Sequence, residues 1–472
     1  MLFNSLQFAI LMIVVLLAVE LFRKNALRLS LLLVSSYVFY YTDSGPLFVL
    51  LLFSSLLSFY TGKRVYENAE LGKRKFFLIL SIVGNLGVLA FFKYTNFAIG
   101  VANDIGSWFG ASPSLSTLNI VLPVGLSFFT FQTMSYTFDV YRKKLKPADS
   151  FLKYALFISF FPQLVAGPIV RASEFLPQLE NKVLILGENL KQGLTYIGWG
   201  LVKKIVFADN IASFVDSIFS NPMGLSSFHI IIGTLAFGVQ IYCDFSGYTD
   251  IAIGAARIFG FKLPKNFDKP YFARNPSDFW SRWNITLSTW LRDYLYIPLG
   301  GNRKGRSRTF INLMITMFLG GLWHGAAWNF VIWGIYHGTL LVAYKWITDR
   351  FSLIKGRIAS ILITQYFIFL GWLIFRVGNS EHLLFAIKKF LFLDFFSAGI
   401  SEIMLFFLEN KFAILLIMVF FYLHALSYKM PDILERINSS RLSYWFAYVM
   451  LISLLLFLFT PSSSKAFIYF QF

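Results

Sequence analysis

Long, uncharged apolar stretches recur along the whole of this 472-residue chain and constrain its fold more than any other feature. Hydrophobic residues make up 57% of the sequence and charged residues only 14%, whereas about a quarter of the residues in a soluble domain are charged. Several apolar stretches, among them residues 1–22, 358–375, 412–428 and 442–464, approach the ~20 residues with which a helix crosses a bilayer. The sequence therefore predicts an all-α polytopic integral membrane protein, with roughly ten to twelve spans and some re-entrant or interfacial helices.

Basic residues are concentrated between the apolar stretches and give the chain a net charge of +18. Basic and non-basic loops alternate over the first four stretches, as the positive-inside rule predicts. The first stretch precedes Arg23, Lys24 and Arg28, so we expect it to be retained, with the N-terminus extracytoplasmic. We interpret the net positive charge as that of cytosolic loops next to a membrane, and not as a nucleic-acid-binding surface. Because the sequence shows no repeat or linker, residues 1–472 are expected to form a single domain.

The run from residue 311 to residue 344 contains two histidines but no Asp, Glu, Lys or Arg. One straight helix of that length would be about 50 Å long, too long for a hydrocarbon core of about 30 Å. We therefore predict a break at Gly320 and Gly321, with Gly325 just beyond it and His324 within it. Broken backbone at membrane depth needs surrounding protein or a water-filled cavity, so this break is a candidate site.

Polar residues in segments that are predicted to lie within the membrane are functional candidates by default, because burying them in lipid is costly. They form three clusters, at residues 242–250, 278–294 and 323–338, and the first of these lies at the end of an uncharged stretch. A glycine-rich basic segment, residues 300–308, is either a phosphate-binding loop or a membrane-surface loop. The candidate substrate- or donor-binding residues are Asp244, Ser246, Asp250, Arg282, Trp283, Trp323 and Arg303.

His324 is the principal candidate for catalysis, because a neutral imidazole in a dry, Trp-rich pocket can accept a proton from a hydroxyl or thiol. His337 is a weaker candidate. A triad of Ser246, His324 and Asp250 can be drawn, but the sequence around Ser246 lacks the G-x-S-x-G elbow. We expect Asp244 and Asp250 to pair with Arg282, Arg292 or a backbone donor, because unpaired carboxylates at depth would be protonated.

Metal chemistry is not expected from this sequence. Its only cysteine, Cys243, excludes internal disulfides and cysteine-clustered metal sites. His324 and His337 would face different directions on one continuous helix, and no metal-binding motif is present. A transporter, which would also use broken helices and intramembrane Asp and His, remains an alternative, although the sequence shows no inverted repeat.

Five segments in which polar residues interrupt apolar sequence resemble the membrane-bound O-acyltransferase family. The resemblance is specifically to the branch that O-acetylates alginate and related bacterial exopolysaccharides. They are residues 121–142, 160–171, 240–271, 278–303 and 321–338, and the resemblance is close over about residues 89–344. It implies a helical bundle around a central funnel, with the family's catalytic histidine at His324. A second family position, often histidine, is Asn284 here. An amide can hydrogen-bond an acyl carbonyl or orient the base, but it cannot accept a proton at neutral pH.

The resemblance also implies a reaction and its participants. The donor is expected to be a cytosolic acyl-CoA, namely acetyl-CoA, used as a substrate with no bound cofactor. The acceptor is expected to be an extracytoplasmic polysaccharide such as alginate, reached through a periplasmic partner of the SGNH-hydrolase type. The implied location is the cytoplasmic (inner) membrane, among its lipids. An acyltransferase directed at lipid or at another cell-envelope acceptor is the nearest alternative within the family.

Overall fold

The computed structural model describes residues 1–110, 115–165, 167–183, 185–351, 356–392, 399–461 and 465–468. These residues form α-helices with short 3-10 and π segments, and none of them belongs to a β-strand. The predicted all-α polytopic fold is therefore confirmed. The helices group into two compact units, Met1–Leu194 with Ala252–Pro264, and Thr195–Ile251 with Lys265–Phe472. Because this division is one of packing and not of function, the single acyltransferase domain stays a prediction.

The first unit contains most of the helices of the N-terminal part of the chain. They are α1 (Leu6–Leu21), α2 (Asn25–Ser44), α3 (Phe48–Glu67), α4 (Leu71–Leu89), α5 (Thr95–Trp108), α6 (Leu126–Tyr141), α7 (Phe151–Ser159), α8 (Phe161–Leu164), α9 (Ala172–Phe175) and the start of α10 (Gly187–Leu201). Short 3-10 segments lie at Gly45–Leu47 and Leu176–Glu180, and a π segment lies at Ala90–Tyr94.

The second unit contains the remaining helices, apart from the last turns of α12. They are α11 (Asn210–Phe219), α12 (Ser227–Ile258), α13 (Pro276–Arg282), α14 (Ile285–Leu291), α15 (Arg306–His324), α16 (Trp328–Thr348), α17 (Arg357–Arg376), α18 (Ser380–Phe392), α19 (Ile400–Glu409), α20 (Lys411–Lys429), α21 (Ile433–Ser439) and α22 (Leu442–Phe459). π segments lie at Val202–Asp209 and Arg292–Tyr296, and a 3-10 turn lies at Pro270–Phe272.

Six helical stretches of the described residues are long and apolar enough to cross a membrane. They are Asn25–Glu67, Leu71–Trp108, Ser227–Ile258, Arg357–Arg376, Lys411–Lys429 and Leu442–Phe459. This number is below the roughly ten to twelve spans expected from ~20-residue segments. Two of the stretches join several helices, and α1 is apolar but short. Helices α15 and α16 are not among these six. Helix α15 begins with Arg306 and Arg308, and both helices contain Asn, His, Gly and Trp residues.

Small and polar residues hold α3, α4 and α6 together in the first unit. The Asn85 side chain on α4 donates to Ser58 Oγ on α3 at 3.0 Å and accepts from Thr133 Oγ1 on α6 at 3.1 Å. The hydroxyls of Ser81 and Thr137 are hydrogen-bonded at 3.0 Å. All of these residues are buried. Such interhelical hydrogen bonds between small residues are typical of membrane helix packing, where lipid supplies no hydrophobic driving force.

Glycines bring α15 and α16 into close contact in the second unit. A Cβ atom on Gly334 would lie 2.6 Å from the carbonyl oxygen of Met317 and 3.2 Å from the Cα of Gly321. A Cβ on Gly321 would likewise lie 2.9 Å from the Cα of Gly334. The two backbones therefore approach each other at a point where no side chain fits, as in other small-residue helix crossings.

Candidate active site

His324 is the last residue of α15, at a break in the long apolar run. Gly325 leaves the helix in an extended conformation, and α16 begins three residues later at Trp328. The predicted break is thus confirmed, but its expected position at Gly320 and Gly321 is wrong. Both glycines remain helical. Gly321 lies at the close crossing with α16, where its lack of a side chain is used, whereas Gly320 faces Leu291 of α14.

Aromatic rings surround the His324 imidazole, which is only 5% exposed. The ring of Trp333 on α16 lies 4.9 Å away and nearly perpendicular, and the ring of Phe375 on α17 lies at 5.7 Å. The neighbouring Trp323, also buried, lies at 5.1 Å. Rings from three helices thus surround the imidazole in a buried, Trp-rich pocket.

The second histidine of the run, His337, contacts the same tryptophan. Its ring lies 4.6 Å from that of Trp333 and 5.1 Å from that of Trp280, and the residue is 1% exposed. Within the described ranges, its Nδ1 atom has no hydrogen-bond partner. His324 and His337 therefore flank one indole, although no group of three or more potential metal-ligating side chains occurs in the part of the chain that the structure describes.

Asn284 occupies a left-handed turn immediately before α14. Its φ is 43° and its ψ is 56°, and it is 1% exposed. Asn266 holds the turn, because its carbonyl accepts from Ile285 N–H at 2.9 Å and its side chain accepts from Thr286 N–H at 3.0 Å. Asn284 Nδ2 has no hydrogen-bond partner among the described residues. A buried donor without a partner is costly, so this amide is available to a ligand.

Tryptophan rings connect the Asn284 turn to His324. Trp283 packs against Trp372 at 4.5 Å, and Trp372 lies 6.5 Å from Trp333 and 6.0 Å from Phe375. We call Trp283, Trp333, Trp372 and Phe375 the aromatic cluster. Since Trp333 and Phe375 also flank His324, the cluster brings together the predicted residues Trp283, Trp323 and His324, with Asn284 adjacent in sequence.

The candidate carboxylates on α12 belong to a different arrangement. Asp250 pairs with Lys203 at 2.5 Å, and Asp244 pairs with Lys204 at 2.7 Å. Asp244 also accepts from the backbone N–H of Ile468 at 2.7 Å, as expected for a backbone donor. The expected pairing with Arg282 or Arg292 is wrong. A triad with Ser246 is not formed either, because the carboxylate of Asp250 is bound to Lys203.

Lys204 lies at the centre of a buried ionic cluster. It is 1% exposed and contacts Asp209 at 2.8 Å in addition to Asp244. One ammonium thus lies within ion-pair distance of two buried carboxylates, so Lys204 is the common partner of both acids. These lysines were missed in the sequence because basic residues were assigned to loops.

The two candidate arginines lie away from the aromatic rings around His324. Arg282 pairs with Asp278 at 2.6 Å and donates to the carbonyl of Asp268 at 3.3 Å. These bonds hold the segment that precedes the Asn284 turn. Arg303 is exposed, in the glycine-rich turns before α15. DFSGYTD, residues 244–250, follows the end of the uncharged stretch but does not end the helix, since α12 continues to Ile258.

Comparison with known proteins identifies the family. Residues 126–384 match the model of MBOAT, the membrane-bound O-acyltransferase family. The peptidoglycan O-acetyltransferase of Helicobacter pylori is 39% identical over 78% of this chain and 74% of its own length. The probable alginate O-acetylase of Pseudomonas aeruginosa is 37% identical over 81% of this chain and 73% of its own length.

A more distant similarity extends to a third activity. The teichoic acid D-alanyltransferase of Bacillus subtilis is 30% identical over 56% of this chain and 71% of its own length. His324, Asn284 and the aromatic cluster all lie within the matched family region. The chain is therefore a polytopic membrane acyltransferase and belongs to the membrane-bound O-acyltransferase family.

Proposed function

We propose that this enzyme transfers an acetyl group from cytosolic acetyl-CoA toward a polysaccharide on the outer side of the cytoplasmic membrane. The relatives named for O-acetylation match at 35–39% identity over about four-fifths of the chain, whereas the D-alanyltransferases match at 29–30% over about half of it. This difference favours an acetyl donor. The observation that carries the proposal is the buried imidazole of His324, held at a helix break by the rings of Trp323, Trp333 and Phe375.

His324 acts as the general base in this proposal. Its imidazole takes the proton of the acceptor hydroxyl, whose oxygen forms a bond to the thioester carbonyl carbon. The bond between that carbon and the CoA sulfur then breaks, and the imidazolium returns the proton to the departing thiolate. The donor is already activated, so one base with correct positioning and carbonyl polarisation suffices.

Asn284 supplies the polarising contact. Its buried Nδ2 donor lacks a partner among the described residues, and a thioester oxygen gains negative charge as the acceptor attacks. A donor held in a dry site stabilises such a developing charge more strongly than water does. An amide cannot take up a proton, which leaves proton transfer to His324.

The acetyl group reaches the polymer through a periplasmic partner of the SGNH-hydrolase type, with the N-terminus of this chain extracytoplasmic. Two relatives are named for peptidoglycan and for alginate, and both are extracytoplasmic polysaccharides with free hydroxyls. Their shared chemistry supports a sugar hydroxyl as the final acceptor. Acceptors within the membrane, such as a lipid, are the alternative within the same family.

Turnover of labelled acetyl-CoA by the purified protein tests the proposal. We expect CoA release in the presence of the partner and polysaccharide, and a loss of about 10²- to 10⁴-fold in His324→Gln, the usual contribution of a general base. His382→Gln, the same change outside the site, should retain full activity. Replacing acetyl-CoA by a D-alanyl thioester carrier, or the polysaccharide by lipid, tests the alternatives. The proposal fails if wild type and His324→Gln release CoA equally under every condition.

A further inference from the structure

The second unit contains an apolar cavity of about 460 Å³ that lies apart from the residues around His324. Its walls come from α12, α17, α18 and α20 together with the 3-10 turn at Pro270–Phe272. Three of these helices are candidate membrane spans. The volume falls within the ~300–1,000 Å³ of typical small-molecule sites, which are also mostly apolar.

His424 places a polar group in this apolar wall. The residue is 5% exposed, and its ring is stacked on Phe272 at 5.5 Å and on Phe420 at 5.3 Å. Within the described part of the chain, His424 Nε2 has no hydrogen-bond partner. Since a buried polar atom costs free energy unless it is hydrogen-bonded, the cavity is suited to an apolar molecule that carries one hydrogen-bonding group near His424.

A cation marks one edge of the cavity. Arg357, the exposed first residue of α17, hydrogen-bonds the hydroxyl of Tyr428 and lies 5.2 Å from the centre of its ring. Tyr428 in turn stacks at 4.4 Å on Phe272, which lines the cavity. Arg357 and the terminal Lys429 of α20 thus lie at one end of this helix pair, where a basic residue meets the polar layer of a membrane.

The length of the cavity wall and the depth of His424 fit a phospholipid that occupies one leaflet. Ile361, Gln365 and Phe369 line the cavity at four-residue spacing on α17, so the wall extends about 18 Å from Arg357 at 1.5 Å per residue. One leaflet provides about half of the ~30 Å hydrocarbon core. His424 lies four residues before Tyr428, about 6 Å deeper, which matches a headgroup layer of about 5–7 Å on each side of that core.

We propose that this cavity binds one acyl chain of a phospholipid, with the phosphate at Arg357 and an ester carbonyl accepting a hydrogen bond from His424. An anionic phospholipid such as phosphatidylglycerol fits the basic edge best. The end of the acyl chain would reach Phe369, whose ring is stacked on Tyr271 at 5.2 Å. Tyr271 in turn lies 6.5 Å from Trp283 of the aromatic cluster, directly before Asn284. The bound acyl chain thereby packs behind the aromatic rings that precede the Asn284 turn. This binding site does not depend on the proposed donor or acceptor.

Photo-crosslinking of the full chain tests this proposal. The protein is placed in phosphatidylcholine nanodiscs that contain a phosphatidylglycerol with a diazirine in one chain, and labelled residues are mapped by mass spectrometry. We expect labelling concentrated in residues 361–369 and 421–424. Leu235→Trp, which fills the cavity from α12, should lower that labelling at least five-fold. Leu415→Trp, at a residue of α20 that is 51% exposed and does not line the cavity, should leave the labelling unchanged.

Competition by unlabelled lipids tests the site without a cavity-filling variant. Unlabelled phosphatidylglycerol should lower the labelling more strongly than unlabelled phosphatidylcholine does. In Arg357→Gln, the two lipids should compete equally. Labelling spread evenly over all exposed apolar residues, or unaffected by both competition and Leu235→Trp, would overturn the proposal. Labelling that is specific but equal for the two lipids would overturn the assignment of Arg357 as the phosphate contact.

Discussion

At the scale of single residues, the backbone explains why Asn occupies position 284. Its φ of 43° lies in the left-handed region, where Asn and His are found several times more often than most residues. The resemblance places histidine at this position in many family members, so both residue types meet the same backbone requirement. What differs is the side-chain chemistry, since Asn offers a donor but no basic nitrogen.

Substitution at position 284 separates the backbone from the side chain. Asn284→Gly should keep the turn and its thermal stability, but lower acetyl turnover about 10- to 100-fold through loss of the Nδ2 donor. Asn284→Ala should show the same kinetic loss and also lose about 1 kcal/mol of stability, because Ala lacks the short polar side chain with which Asn tolerates this left-handed conformation. Turnover and thermal unfolding in detergent measure the two effects. Full activity of Asn284→Gly would exclude a role for the amide in carbonyl polarisation.

At the scale of helices, much of the fold follows from apolar stretches in the sequence, but the use of particular glycines does not. The stretches near residues 1–22, 358–375 and 412–428 coincide with α1, α17 and α20, because apolar length alone predicts a membrane helix. The last three residues of the stretch 442–464 lie outside the described residues. Gly320 and Gly321 were predicted to break a helix but remain in it, since a glycine that permits close packing and one that ends a helix look alike in sequence.

The crossing of α15 and α16 can be tested with one added methyl group. Gly334→Ala places a Cβ against the Met317 carbonyl and the Gly321 Cα, so the two helices must separate. We expect a loss of about 1–3 kcal/mol of stability, the usual cost of overpacking. Turnover should also fall, because α15 and α16 carry His324 and Trp333. Gly87→Ala, on α4 with nothing within 4 Å of the added Cβ, is the matched control, and equal effects of the two changes would contradict this account.

The DFSGYTD segment shows why the candidate site could be predicted only in part. Its carboxylates were conspicuous in an apolar sequence, and so was His324, but only His324 contacts the aromatic cluster. Asp244 and Asp250 are neutralised by Lys204 and Lys203, which precede them by 40 and 47 residues. A sequence reveals that an intramembrane charge needs a partner. It does not reveal which distant residue provides it, because that depends on how α12 packs beside the π segment Val202–Asp209.

At the scale of the whole molecule, the buried ionic cluster joins parts of the second unit that are far apart in sequence. Lys204 contacts Asp209 and Asp244 and donates to the carbonyl of Lys465 at 3.1 Å. Asp244 accepts from Ile468, and the fully buried Phe467 packs against Tyr248 at 4.3 Å. One lysine thus holds the π segment, α12 and residues 465–468 together, and its loss should affect all three at once.

Removal of the Lys204 ammonium tests this role. Lys204→Met keeps the length of the side chain but leaves two buried carboxylates without their common cation, so we expect a loss of about 3–5 kcal/mol of stability. Asp244→Asn should cost less, because it removes one charge and keeps an acceptor for Ile468. Thermal unfolding in detergent measures the loss, and increased proteolysis at residues 465–468 reports release of that segment. Lys411→Met, the same change at the exposed start of α20, should leave both unchanged. If Lys204→Met behaves like Lys411→Met, the cluster does not stabilise the second unit.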